Sequence, residues 1–359
     1  MKILLIQRFF PNYREGLFDR LAENSNFKLI CHPKSYGKII IPNNLTSKVY
    51  LVNAFSIRIK KDVVLFPFLF IRLLIEKPEI IVTEGGRNTI NNLMVYIYAS
   101  IFKRKYIIWD LGKGYMKEND DSNIFLQLYL KLQYYLLKKT HKIFTYNTVN
   151  IDYFKNIASN KEVIALGNTI DTSKILLLKK NVQKQNDIPQ EILNQERIFL
   201  YIGALNEMKK VHLLADILKP CKHYGLIIIG DGDEVYKKKL TKSLENINYT
   251  MLGYKLSDQL AFYYEISDLV ILPGLGGLTI PQSYMFETPV LCSNADGTEE
   301  EIIKNRENGF IFRNTKEASD FIVNTNKTQL KNMGIKGFNL VSRKFTIDSY
   351  VHNFIRFLE

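Results

Sequence analysis

The stretch from Asp268 to Pro289 sets three glycines, Gly274, Gly276 and Gly277, between a short apolar run (Leu269 to Leu272) and a helical pattern from about Leu278 to Phe286. Glycine lets a backbone bend sharply and approach a ligand closely. Pro281 is tolerated only in the first helical turn, where its missing N–H is not needed. A buried strand, a glycine loop and a helix start together make an anion cradle, because unpaired N–H groups and the helix dipole converge on one point. Two further loops of the first half end strand-like runs and carry charge: Glu84-Gly85-Gly86-Arg87 and Asp110-Leu111-Gly112-Lys113-Gly114. The carboxyl ends of strands are where parallel sheets bind ligands. Other signals carry less. Asp231-Gly232-Asp233 has the look of a metal-binding Asp-x-Asp but falls between a strand and a helix, where it reads as a turn. The five histidines have no metal spacing, and no Gly-x-Gly-x-x-Gly or P-loop pattern is present.

The elements that must hold these loops follow from periodicity. In the first half, strand-like runs at Lys2–Ile6, Phe27–Cys31, Ile80–Thr83, Tyr106–Trp109, Lys142–Tyr146 and Val163–Leu166 alternate with helical patterns at about 13–23, 57–75, 91–102 and 122–139. The second half repeats the alternation. Strands are predicted at Ile198–Ile202, Leu226–Ile229, Tyr249–Leu252, Leu269–Leu272, Val290–Cys292 and Phe310–Phe312. Helices fill the intervals, and a last one spans about Ile347 to Leu358. Thr298 with Glu301 reads as a capping box. The fold class is α/β, two Rossmann-like doubly wound domains facing across a cleft. The expected boundaries are 1–171, a polar linker over 172–196, a second domain over 197–340, and a C-terminal helix over 341–359 that returns to the first domain.

A chain of 359 residues suits two domains of ordinary size. Three widely spaced cysteines exclude a disulfide framework. The amino-terminal apolar run is too short for a signal peptide, and no run approaches the roughly 20 apolar residues that span a bilayer. The formal net charge is +13. Residues 1–170 hold about 25 Lys and Arg against about 13 Asp and Glu, so roughly +12 of it sits in the first half. A one-sided basic half implies an anionic partner there.

The ordered set Tyr201-Ile202-Gly203 with Lys209, Gly230-Asp231-Gly232, Gly253, Ser267-Asp268 to Pro273, Gly277-Leu278, Thr288-Pro289-Val290, Glu301 and Asn308-Gly309 resembles the retaining glycosyltransferases of the GT-B fold. The resemblance covers residues 198–312 well and residues 1–170 by pattern alone. It implies a nucleotide-sugar donor, such as a UDP- or GDP-sugar, held by Gly203, Lys209, Gly230, Gly232, Gly274, Gly276, Gly277, Leu278, Thr279 and Gln282. It implies Asp110, Lys209 and Gln282 as the catalytic set and Glu84, Gly86, Arg87 and Lys113 as the acceptor side. No cofactor and no metal are implied. The family's Glu-x(7)-Glu pair falls here on Gly274 and Gln282, and its usual arginine on Ala204. Gln282 still offers an amide oxygen to ribose hydroxyls, while Gly274 offers no side chain.

The function expected is metal-independent transfer of a sugar, with retention, to a lipid-linked or saccharide acceptor in surface polysaccharide, lipopolysaccharide or capsule assembly. The departures at Ala204, Gly274 and Gln282 also admit a catalytically silent partner subunit, and the fold admits a sugar-nucleotide epimerase. Nucleic acid is not an expected partner, because no basic-aromatic motif accompanies the charge. An anionic membrane surface is. Arg58, Lys60 and Lys61 precede the apolar run Val63–Phe70, Lys103-Arg104-Lys105 follow Tyr96–Phe102, and Lys138-Lys139 follow Tyr129–Leu137. Such segments lie in the headgroup region of anionic bilayers, which places the chain in the cytoplasm, peripheral on the inner face of the cytoplasmic membrane.

Overall fold

The structure is a computed structural model that describes residues 1–32, 48–60, 63–112, 124–256 and 258–358. It contains two compact units, Met1–Asn168 with Ile347–Glu359, and Thr169–Thr346.

In the first unit the chain runs β1 (Lys2–Phe9), α1 (Glu15–Asn24), β2 (Asn26–His32), a hairpin of β3 (Ile57–Lys60) and β4 (Val63–Leu65), α2 (Leu69–Glu76), β5 (Ile80–Glu84), α3 (Thr89–Phe102), β6 (Lys105–Asp110), α4 (Ile124–Lys139), β7 (Lys142–Thr145), α5 (Val149–Ile157) and β8 (Glu162–Ala165). The six-stranded sheet has the order β2-β1-β5-β6-β7-β8, and every pair in it is parallel. Its strands read as continuous apolar runs because both faces are covered. Ile3, Leu5, Val82 and Trp109 belong to one core, and Leu4, Ile6, Ile81 and Ile108 to the other. Helices α2 and α3 each stop at a lysine in the left-handed region, Lys77 at φ 48° and Lys103 at φ 50°. Their N–H groups donate to Leu73 O and Ala99 O, closing the last turn.

The second unit contains α6 (Thr172–Lys180), α7 (Gln190–Leu193), β9 (Arg197–Ile202), α8 (Leu214–Leu218), β10 (Tyr224–Ile229), α9 (Glu234–Ser243), β11 (Tyr249–Met251), α10 (Leu260–Glu265), β12 (Leu269–Leu272), α11 (Thr279–Met285), β13 (Val290–Ser293), α12 (Thr298–Ile302), β14 (Gly309–Phe312), α13 (Thr315–Val323) and α14 (Lys327–Lys344). The sheet order is β11-β10-β9-β12-β13-β14, again all parallel. The segment expected as a linker instead packs on this unit. Ile175, Ile188 and Ile192 join its core, and a Cβ on Gly225 would lie 2.7 Å from the Ile192 side chain. Leu178, Val182 and Leu193 pack against the same core from the side, so the segment's lysine pairs and proline concealed an apolar face.

Helix α15 (Ile347–Leu358) belongs to the first unit. Phe354 is fully buried, with ring centroids 5.8 Å from Phe144 and 6.0 Å from Trp109. Lys105 and Lys142 donate to the terminal carbonyls Leu358 O (3.2 Å) and Phe357 O (3.0 Å), which complements the negative end of the helix dipole. Phe354→Ala should therefore destabilise the first unit by about 3–5 kcal/mol. Urea unfolding followed by the fluorescence of Trp109, the only tryptophan, measures this; an unchanged midpoint would show that α15 does not support the sheet.

Candidate functional site

The order of the second sheet reverses between β9 and β12, so the crevice outside their carboxyl ends is the topological switch point where such sheets take ligands. Residues 203–210 leave β9 there and 273–278 leave β12. The first of these loops prolongs the sheet instead of turning away. Gly203 N donates to Ile229 O (3.0 Å) and Leu205 N to Asp231 O (2.9 Å), with a further bridge between Leu205 and Gly232. A Cβ on Gly230 would strike the Gly203 carbonyl, and one on Gly232 the Leu205 carbonyl. These two glycines, predicted to bind donor, are thus required by backbone contact. Gly203 is similarly constrained, since a Cβ would lie 2.9 Å from the Tyr201 hydroxyl, which donates to Ala204 O.

Lys209 sits at the end of a short 3-10 turn, Glu207–Lys209, whose cap is Asn206: the Lys209 N–H donates to Asn206 Oδ1 at 3.1 Å. Its ammonium donates to Leu275 O in the loop after β12. Burial lowers the pKa of this lysine, and the nearby carboxylates of Asp296 and Glu299 oppose that shift. Gly274 lies directly beneath. A Cβ there would meet the Met208 carbonyl oxygen and sit 2.6 Å from the Lys209 carbonyl carbon. The absent carboxylate at position 274 therefore has a steric cause, because the two loops touch where a side chain would stand.

Beyond the contact, Gly277 turns with φ +59° into open space and leads through Leu278 to Thr279, the first residue of α11. Among the described residues, the N–H groups of Gly276, Gly277, Leu278 and Thr279 have no backbone or side-chain acceptor, as the first turn of a helix requires. The half-buried Gln282 side chain likewise makes no hydrogen bond to a described residue. Thr279 Oγ1 reaches Ile202 O only at 3.5 Å.

Glu299 is a group that sequence reasoning missed. It is fully buried, and its Oε2 accepts from Gly297 N (3.1 Å), Asp296 N (3.3 Å) and Ala295 N (3.4 Å), while Oε1 has no partner among the described residues. Burial raises its pKa, with the Asp296 carboxylate adding to the rise and the loop N–H groups opposing it. The predicted capping box of Thr298 and Glu301 does not form. Gly297 caps α12 at φ +85°, and Glu299 reaches back over the loop in its stead. Asp231 and Asp233 do separate jobs. Asp231 Oδ1 accepts from Gly232 N (2.8 Å) and pairs with Lys237 (3.3 Å), and Asp233 caps α9 through Tyr236 N.

In the first unit Asp110 is buried. Its Oδ2 accepts from Gly86 N (2.9 Å) and Gln133 Nε2 (3.3 Å), and its Oδ1 from Gly112 N (3.0 Å). Burial raises its pKa against those hydrogen bonds. The carboxylate fastens the loop after β5 to the loop after β6, so its geometry is that of a positioning residue. Gly85 has no room for a Cβ beside that carboxylate. Glu84 is engaged by Arg8, at 2.5 Å from Nη2 and 3.0 Å from the backbone N, a pairing that strand order alone brings together. Gly86 adopts φ +59°, and its carbonyl accepts from Thr89 Oγ1 (2.7 Å) and the Tyr129 hydroxyl (3.1 Å). Arg87 is exposed, and Lys113 lies outside the described residues.

The contact at Gly274 has a measurable consequence. Gly274→Ala should displace Lys209 and destabilise the second unit by about 1–3 kcal/mol, as overpacking does. Gly277→Ala, with open space but a left-handed φ, should cost about 1 kcal/mol. Equal denaturation midpoints for the two variants would contradict the packing described.

Residues 182–328 match the family model for glycosyl transferases group 1. Among curated proteins none matches the chain in sequence. Solved structures match it over its whole length. Anabaena HepE in complex with UDP is 17% identical, with TM-score 0.74 over 100% of this chain and 99% of that one. Sucrose-phosphate synthase from Thermosynechococcus elongatus is 11% identical, with TM-score 0.74 over 99% and 98%. The lipopolysaccharide outer core galactosyltransferase WaaB, in its apo form, is 15% identical with TM-score 0.67 over 99% and 98%. With its two parallel six-stranded sheets the chain has the GT-B fold, and residues 182–328 of its second unit are similar to glycosyl transferases group 1.

Proposed function

We propose that this glycosyltransferase takes a nucleoside-diphosphate sugar on its second unit and transfers the sugar, with retention and without a protein-bound metal, to an acceptor taken by the first. The observation that supports the donor reading is the convergence at the switch point. The Lys209 ammonium is tied to the loop after β12, and the next residues of that loop present N–H groups with no acceptor of their own. A diphosphate needs fixed positive charge and backbone donors. As the sugar–oxygen bond breaks, negative charge grows on the leaving diphosphate, where preorganised donors lower the barrier. The departing phosphate oxygen can then accept the proton of the acceptor hydroxyl. Gln282 would accept a ribose hydroxyl through its amide oxygen. The structures of HepE hold UDP and UDP-glucose, which favours uridine as the base.

Calorimetry with UDP and GDP, each with and without EDTA, tests this reading. Binding of at least one, unchanged by the chelator and weakened about 10–100-fold in Lys209→Ala, is the expected outcome. Silence with every nucleoside diphosphate, or binding only with a divalent ion, would overturn it. Release of a free epimerised sugar nucleotide without acceptor would point instead to an epimerase, and binding without turnover of any sugar nucleotide to a silent subunit.

The acceptor side carries a further part of the proposal, peripheral attachment to the cytoplasmic face of an anionic membrane, where a lipid-linked acceptor or saccharide precursor would be met. Among the described residues no helix is long and apolar enough to cross a membrane. What supports attachment is the outer surface of α2, α3 and α4, which pack side by side. Ile71 and Ile75 on α2, Ile101 on α3, and Phe125 and Leu128 on α4 are each more than half exposed, and Lys103, Lys138 and Lys139 stand exposed among them. Apolar patches of that extent mark an interaction surface, and each basic residue near an anionic leaflet adds about 1 kcal/mol. In vesicle flotation the protein should float with anionic lipid at low salt and much less with neutral lipid. Reversing Lys103, Arg104, Lys138 and Lys139 to Glu should abolish flotation; equal flotation on both lipids would refute the electrostatic part.

A further inference from the structure

The first unit buries a positive charge that no carboxylate among the described residues pairs with. Arg14 follows β1 on a short 3-10 turn, Asn12–Arg14, at the point where the first sheet reverses between β1 and β5. The residue is only 6% exposed. Its guanidinium lies 4.7 Å from the ring centroid of Trp109, 4.9 Å from that of Tyr146 and 5.5 Å from that of Tyr13. Its electrostatic neighbours are the hydroxyls of Tyr146, Tyr13 and Tyr350, and the Tyr146 hydroxyl takes one of its hydrogen bonds. Among the described residues it makes no ion pair. The carboxylate at the end of the adjoining strand, Glu84, is held by Arg8.

Aromatic rings engage the face of a guanidinium and leave its five N–H donors, which lie in its plane, to find other partners. A buried charge without an ion pair is costly, and cation–π contacts offset only a part of that cost. One of these rings carries a donor of its own: Trp109 is 2% exposed, and its indole Nε1 has no acceptor among the described residues. A planar fork fixed between rings, beside an orphan indole N–H, matches the oxygens of a phosphate or carboxylate.

We propose that Arg14 and Trp109 form an oxyanion subsite on the first unit, with Tyr13, 56% exposed, as its wall toward solvent. That the anion belongs to the acceptor, as its phosphate or its sugar-acid carboxylate, rests on the glycosyltransferase reading; the subsite itself does not. The anionic part of the acceptor is thereby assigned to a residue outside the loops after β5 and β6.

Trp109 is the only tryptophan, so its emission reports the subsite directly. The full-length protein is titrated with inorganic phosphate, pyrophosphate and acetate at constant ionic strength held with sodium chloride. A saturable change with at least one anion is expected, phosphate against acetate separating the two sources. Arg14→Lys keeps the charge but loses the planar fork, and should weaken that response at least about tenfold. Arg14→Met should abolish it, with circular dichroism reporting whether that variant stays folded. UDP binding by calorimetry should be unchanged in Arg14→Lys. A linear, unsaturable response in the wild type, or equal affinities in the wild type and Arg14→Lys, would overturn the subsite. Loss of UDP binding in the wild type with an intact anion response would overturn the donor reading alone.

Discussion

The second unit depends on backbone touching backbone at the carboxyl ends of its central strands. Three glycines make that possible: Gly230 against the Gly203 carbonyl, Gly232 against the Leu205 carbonyl, and Gly274 against the carbonyls of Met208 and Lys209. At such separations any Cβ overlaps the opposing chain, so residue choice is dictated before any ligand is considered. The contacts hold the loop after β9 against its neighbours on both sides. Lys209 is thereby fixed, its stem half-buried and its ammonium directed at the loop that starts α11.

The charge of that lysine is set by opposing influences. Burial works against its charge, and Asp296 and Glu299 work for it. Glu299 is itself penalised by burial and is retained through three backbone N–H groups. Lys209 and Glu299 are therefore both penalised by burial, with Asp296 exposed beside them. Buried polar groups left in that condition are costly in structural terms, and their concentration at a sheet's switch point accords with a place for a charged ligand.

The first unit solves the same problem with a side chain. Asp110 receives N–H groups from two successive strand-end loops, worth about 1.5–3 kcal/mol each for a charged acceptor. Gly85 gives way so that the carboxylate can sit there. Replacing glycine contacts with a buried carboxylate leaves these loops dependent on one residue, which explains why an aspartate that sequence reading assigns to chemistry is found holding loops together.

Strand positions were legible in the sequence because parallel strands covered on both faces are short uninterrupted apolar runs, and all twelve predicted strands fall within or across strands of the two sheets. The loops at their carboxyl ends were legible for the same reason. Helices were less so. Segments 149–157, 172–180, 315–323 and 327–344 are helices that the sequence reading did not place, and the last holds Gly334 and Gly337, which look like breaks. Both pack where a Cβ would strike the Glu287 carbonyl or the Tyr284 ring, a constraint that exists only once α11 lies beside α14. The pairing of Glu84 with Arg8 and the burial of Arg14 between Trp109 and Tyr146 join residues that strand order brings together. Local periodicity determines which segments are strands of the two large sheets, though it reads 57–75 as helical where the β3–β4 hairpin precedes α2. Which charges are buried, and beside what, is decided by the order in which those strands assemble.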